Sequence, residues 1–128
     1  MKTVGFFGSR GYLGTKIYHE ISLVSKCVPL KSDIDNYELL IDFLQSDIPD
    51  FIVNCVGYTG RPNVDGCETN KEICKRLNVD FPALLAKAWN ELNIKLIHIS
   101  SGCIYNGYDK IYNEEDYCNF YGSYYSRT

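Results

Sequence analysis

The chain has 128 residues, a formal net charge of −3 and a 45% hydrophobic composition, which suits one compact domain with its own core and leaves no room for two. So slight an acidic balance, with no Lys/Arg cluster, offers no footprint for DNA or RNA, and a nucleic-acid role is not expected. No apolar run approaches the ~20 residues of a membrane helix, and the first residues lack the basic-then-apolar layout of a signal peptide, so the expected setting is soluble and cytoplasmic.

The apolar run Val4-Gly5-Phe6-Phe7 predicts a first strand, and Gly8-Ser9-Arg10-Gly11-Tyr12-Leu13-Gly14 predicts a tight turn into a helix. A pyrophosphate needs backbone N–H groups and a helix N-terminus within reach, and glycines remove the side chains that would obstruct both. An ordinary loop can carry the same triplet, but its position at the first strand-to-helix turn favours a dinucleotide site. Leu13, Ile17, Ile21 and Val24 recur at near-helical spacing, giving a helix over residues 12–24. Lys26-Cys27-Val28-Pro29-Leu30 reads as a second strand. Asp35 or Asn36 caps the next helix, whose apolar positions Tyr37, Leu40, Ile41 and Leu44 share a face before Pro49 ends the segment.

Phe51-Ile52-Val53-Asn54-Cys55-Val56 lacks polar alternation, as a parallel strand covered on both faces does. Turn formers from Gly57 to Gly66 lead to a long helical pattern carrying Ile73, Leu77, Phe81, Leu84, Leu85, Ala88 and Leu92, with a kink expected at Pro82. Lys95 to Ser100 is a fourth strand, in which His98 reads as a packed core histidine; His19, on the first helix, reads as solvated. Residues 101–128 form a tyrosine-rich connection that barely begins another helix. The alternation of strand and helix predicts a doubly wound parallel α/β sheet. Six cysteines, at 27, 55, 67, 74, 103 and 118, form no C-x-x-C pair, so no metal site is expected. Reduced thiols, most of them in the core, are the expectation.

Several stretches resemble one family in the right order. G-x-x-G-x-x-G at Gly8, Gly11 and Gly14 is the spacing of extended short-chain dehydrogenase/reductases. Asn54-Cys55-Val56-Gly57-Tyr58-Thr59 is similar to the third-strand end of dTDP-4-dehydrorhamnose reductases, and Asn78-Val79-Asp80-Phe81-Pro82-Ala83-Leu84-Leu85-Ala86 to their mid-domain helix. Thr59 to Glu68 is closer still to the bifunctional 3,5-epimerase/4-reductases that make nucleotide-linked rhamnose from UDP-4-keto-6-deoxyglucose. The resemblance implies a Rossmann-type NAD(P)-binding domain over 1–128, the N-terminal cofactor-binding part only, ahead of a C-terminal substrate domain. It implies a nucleotide-sugar substrate and allows for a homodimer.

Within that resemblance the cofactor would meet Gly8, Ser9, Arg10, Gly11, Tyr12, Leu13, Gly14, the pair Asp33-Ile34, and Cys55, Val56, Gly57 and Tyr58. Asp33 has a second reading as a helix-start residue. The second strand ends without the acid that reads a 2′-hydroxyl, and Arg10 lies inside the glycine turn as in NADP-using relatives, so NADPH is expected over NADH. A solvated loop side chain explains Arg10 equally well. Ser101, in Ser100-Ser101-Gly102-Cys103-Ile104-Tyr105, takes the place of the hydroxyl that orients the sugar ketone. Tyr125 opens a Tyr-x-x-x-Lys motif whose lysine would follow Thr128. A tyrosine has an ordinary pKa near ~10, and lowering it by about three units needs on the order of 4 kcal/mol, much of which a nearby ammonium supplies.

Cys103 stands where epimerising relatives carry a thiol that returns a proton to the carbon beside the ketone; a core cysteine at a strand end is the plainer alternative. Arg61 and Asn63 are candidate substrate contacts, although a loop of turn formers accounts for them too. The tyrosines from Tyr105 to Tyr124 line a sugar-nucleotide cleft or cover apolar surface. A reductase without epimerase activity, or a non-catalytic dinucleotide-binding module like the regulatory subunit of methionine adenosyltransferase, are the rival functions.

Overall fold

A computed structural model describes residues 1–31 and 36–128. Strands β1 (Thr3–Phe7), β2 (Lys26–Leu30), β3 (Phe51–Asn54) and β4 (Lys95–His98) form one parallel sheet in the order β2-β1-β3-β4. The register sets Gly5 between Val28 and Ile52, and Val53 beside Ile97. Helix α1 (Tyr12–Ser22) connects β1 to β2, α2 (Tyr37–Ser46) connects β2 to β3, and a helical segment connects β3 to β4. That segment comprises α3 (Gly66–Thr69), α4 (Lys71–Lys75), a π-helical turn (Arg76–Asp80) and α5 (Phe81–Leu92).

Alternation along the strands divides the core in two, because successive side chains point to opposite faces. Val4, Phe6 and Val53 meet Ile17, Tyr18 and Ile21 of α1, with the Phe6 and Tyr18 rings edge to face at 5.4 Å. On the other face Phe7 and Ile52 pack with Leu40, Ile41 and Leu44 of α2 and Phe81, Leu85 and Ala88 of α5. Helices on both faces make the sheet doubly wound, as the sequence predicts.

Local chemistry places the helix ends. Asn36 caps α2 by accepting the Glu38 and Leu39 N–H groups at 2.9 and 3.2 Å. Helix α1 stops at Ser22, short of residue 24, and leaves Val24 77% exposed. The expected kink at Pro82 takes the form of the π-helical turn just before it, with Pro82 in the first turn of α5. Proline has no N–H, so the carbonyl four residues earlier, on Asn78, has no ordinary helical partner, and the wider turn falls on that stretch.

Three expectations need correcting. His98 is exposed and outside the core, because β4 is the edge of the sheet and pairs only with β3 among the described residues; Ile97 is 48% exposed for the same reason. The cysteines are mostly not core residues: Cys67 and Cys74 are buried, Cys27 and Cys55 are half-buried, and Cys103 and Cys118 are exposed, all six as free thiols. Phe51 to Val56 is strand only as far as Asn54, where the backbone leaves the sheet toward the cleft described below. His19 is exposed, as expected. No described helix is long and apolar enough to cross a membrane.

Candidate functional site

The C-terminal ends of β1, β3 and β4 open into a cleft of about 440 Å³. This is where a doubly wound sheet holds ligands, since the chain diverges to opposite faces there. Gly11, Tyr12 and Leu13 line one side, Cys55, Val56, Gly57 and Thr59 the floor, and Ser100, Ser101, Ile104 and Tyr125 the other side. Leu13 is 51% exposed because it faces the cleft and not the core.

The turn that forms the first wall depends on two glycines in particular. Gly8 has φ +78°, and a Cβ there would come within 2.8 Å of the Cys55 and Val56 backbone. A Cβ on Gly14 would sit 2.0 Å from the Gly8 carbonyl oxygen, so only glycine lets α1 start this close to β1. Gly11 differs: its φ is −74° and a Cβ would meet only the Gly8 oxygen, at 3.4 Å. Gly11 is the N-cap of α1 and no side chain caps that end, so the first N–H groups of the helix face the cleft without an acceptor from a capping side chain. No acidic residue occupies the first turn. An anionic group fits this end of the helix on both charge and hydrogen-bonding grounds.

Buried polar groups fix the floor. Asn54, fully buried, accepts the Val56 N–H on Oδ1 at 3.0 Å, and its Nδ2 lies 3.1 Å from His98 Nδ1. Asn78, in the π-helical turn, accepts the Tyr58 N–H at 2.7 Å and donates to the Tyr58 carbonyl at 2.9 Å. Its Nδ2 also donates to Thr128 Oγ1 at 3.2 Å, tying the floor to the turn that carries Tyr125. That turn, Tyr125–Arg127, is held at its start by Glu68, which accepts the Tyr124 N–H at 2.6 Å. Burial pushes the Cys55 thiol up, and Cys67 is pushed up to about 11 by burial and by the neighbouring Cys74, so neither is a ready thiolate.

On the far wall, Ser101 Oγ accepts the Cys103 N–H at 3.0 Å. That bond uses a lone pair and leaves the hydroxyl hydrogen available to a ligand. Tyr125 shares the cleft with Ser101.

The structure therefore brings Gly11, Tyr12, Leu13, Cys55, Val56, Gly57, Ser101 and Tyr125 to one cleft. Gly8 and Gly14 shape its wall, and Tyr58 is held behind the floor by Asn78. Ser9 and Arg10 belong to the turn beside it, Arg10 being exposed. Cys103, Arg61 and Asn63 are exposed and do not line the cleft. Asp33 and Ile34 lie outside the described residues. Sequence reasoning did not single out Asn78, Thr128 or His98 as cleft residues. Asn78 opens one of the quoted family stretches, but its task is set by Tyr58, twenty positions away. No group of three or more metal-ligating side chains occurs among the described residues.

A glycine turn at the first β-α junction and a cleft at the strand ends define a Rossmann-type α/β domain. Residues 1–128 match the family described as RmlD substrate binding domain, and the chain belongs to that family. It is 36% identical over 105 residues to an Arabidopsis thaliana trifunctional UDP-glucose 4,6-dehydratase/UDP-4-keto-6-deoxy-D-glucose 3,5-epimerase/UDP-4-keto-L-rhamnose-reductase, covering 77% of this chain and 16% of that protein. It is 38% identical over 102 residues to the bifunctional dTDP-4-dehydrorhamnose 3,5-epimerase/dTDP-4-dehydrorhamnose reductase of the same plant, covering 73% of this chain and 33% of that one. The chain thus spans a third or less of these relatives' lengths. Among solved structures, the L780 UDP-rhamnose synthase of Acanthamoeba polyphaga mimivirus superposes with a TM-score of 0.87 at 24% identity, over 98% of this chain and 48% of that one. A Bacillus anthracis dTDP-4-dehydrorhamnose reductase in complex with NADP gives 0.83 at 22% identity, over 98% and 45%.

Proposed function

We propose that this chain is the dinucleotide-binding part of an NADPH-dependent enzyme that acts on a nucleotide-linked 4-keto-6-deoxyhexose, by 3,5-epimerisation and 4-reduction of UDP-4-keto-6-deoxyglucose to UDP-rhamnose. The observation that carries this reading is the single cleft shared by the uncapped start of α1, the β3 exit, Ser101 and Tyr125. The α1 N-terminus holds the pyrophosphate, Cys55 to Gly57 flank the dinucleotide, and Arg10 meets the 2′-phosphate. When bound, NADPH supplies hydride to C4 of the sugar. Ser101 donates a hydrogen bond to the ketone oxygen and holds it in place, while its Oγ stays anchored to the Cys103 N–H. Tyr125 gives its phenolic proton to that oxygen.

Cys103 lies outside the lining of the cleft, which favours a second reading, reduction without epimerisation. Solvent deuterium at C3 and C5 of the product separates the two.

Calorimetric titration with NADPH and with NADH tests the site. NADPH binding at least ten times tighter, about 1.4 kcal/mol, is the expected outcome. Absence of binding by either nucleotide overturns the dinucleotide reading.

A further inference from the structure

His98 lines the cleft yet belongs to no part of the chemistry above. Its partner is Asn54, whose two amide groups serve different masters. Oδ1 accepts the Val56 N–H, which fixes the amide's orientation and turns Nδ2 toward His98 Nδ1 at 3.1 Å. An amide nitrogen only donates, so Nδ1 accepts and the imidazole proton sits on Nε2. One rigid chain of bonds therefore runs from β4 through a fully buried asparagine to the backbone that forms the cleft floor.

We infer that His98 is a positioning residue for the dinucleotide, holding the Cys55–Gly57 floor through Asn54, and that it does so only as the neutral imidazole. The inference rests on the dinucleotide reading of the cleft. A second proton on the ring sets two N–H donors against each other across the Asn54–His98 contact. The Asn54 backbone carbonyl, which already accepts the Ile99 N–H, can accept a second hydrogen bond from the protonated ring, but Nδ2 then has no acceptor. Flipping the amide to present Oδ1 to the ring strips the Val56 N–H of its partner instead. Either way a buried polar group on the floor is left unpaired.

The surroundings do not favour the charged ring. Its contact on β3 is Asn54, and the titratable groups that share its cleft are the Cys55 thiol and the Tyr12 and Tyr125 phenols; no carboxylate, lysine or arginine lines the cleft among the described residues. On β4 itself the charged neighbour is Lys95, three residues away. Partial desolvation on the side of the ring turned to Asn54 holds the imidazole below its ordinary 6.5, with the Asn54 carbonyl acting in the opposite sense. Binding is therefore at full strength above pH 6.5 and weakens as pH falls through the lowered value.

The test uses NADP⁺, which is stable in acid, on the intact chain at pH 7.5 and at a pH below the His98 midpoint that NMR titration of the free chain gives, and compares it with His98→Gln, which keeps an acceptor that does not titrate. Protonation of the 2′-phosphate affects both proteins alike, so the difference between them is the readout. The wild-type chain should lose about three- to tenfold more affinity than the variant over this interval, the size of one hydrogen bond. Equal losses overturn the inference. NMR titration of the two histidine rings of the wild-type chain is the second measurement and needs no variant. Bound NADP⁺ should lower the His98 midpoint by linkage; an unmoved His98 midpoint overturns the inference. Failure of NADP⁺ to bind at pH 7.5 instead removes the dinucleotide reading, and this inference with it.

Discussion

Among single residues, the three turn glycines look interchangeable in the sequence and are not. Gly14→Ala drives a methyl to 2.0 Å from the Gly8 carbonyl oxygen, and backbone cannot yield as a side chain can. It should cost about 3 kcal/mol or more, at the upper end of overpacking effects, and be visible as a large drop in Tm. Gly11→Ala adds a methyl at 3.4 Å from the same oxygen on unstrained backbone. It should change stability by about 1 kcal/mol or less while weakening nucleotide binding at least tenfold on the proposed reading, in which the cleft wall at Gly11 meets the pyrophosphate. Equal effects of the two substitutions on Tm would contradict this division. The spacing of the glycines was legible in the sequence. Which of them serves the fold and which serves a ligand depends on distances to Gly8, Cys55 and Val56 that only the folded turn defines.

Between elements, the contact of α2 with α5 has a signature at high pH. The Tyr37 hydroxyl donates to Glu91 Oε2, and Lys87 Nζ lies 3.6 Å from the Tyr37 ring centroid. The bond to Glu91, followed by burial, pushes the Tyr37 phenol up from 10.0 to about 12. Between those values the unfolded chain releases a proton that the folded chain keeps, so stability falls as pH rises from 10 to 12. Denaturant unfolding across this interval should show that slope, and Tyr37→Phe should flatten it. The sequence placed Tyr37 on the apolar face of α2 correctly, but Glu91 is 54 positions away and its approach follows from both helices sharing one face of the sheet. The π-helical turn has the same character: Pro82 signals a disturbance, and the structure decides that the disturbance turns Asn78 toward Tyr58 and Thr128.

For the whole molecule, surface–mass scaling gives about 6,900 Å² for a closed monomer of this mass, whereas the chain exposes 8737 Å². Ile97 on β4 and Tyr108, Ile111 and Tyr117 beyond it contribute to the difference, the last three being almost wholly exposed. Residues 101–123 are hydrogen-bonded among themselves and to the last turn, for example through Asn119 to Asn106, and the Tyr105 and Tyr112 rings stack within the segment. Amides of β4 should therefore exchange with solvent deuterium at least about tenfold faster than those of β1, which is paired on both sides and covered on both faces. Equal protection would mean that β4 is covered in solution in a way the isolated fold does not require.

The order and kind of the elements, the parallel sheet and the location of the glycine turn are legible along the chain, because apolar periodicity and turn chemistry are local properties. The sequence also carries the family, through Asn54 to Thr59, Asn78 to Ala86 and the segment before Glu68. Contacts across the fold place His98 exposed at the cleft and outside the core, set Asn54 and Asn78 to hold the floor, and leave Cys103 outside the cleft while Ser101 and Tyr125 stand within. The physical reason is the same in each case. Burial and hydrogen-bond partners are fixed by which strand lies beside which and by what covers each face, and those relations join residues far apart in the chain.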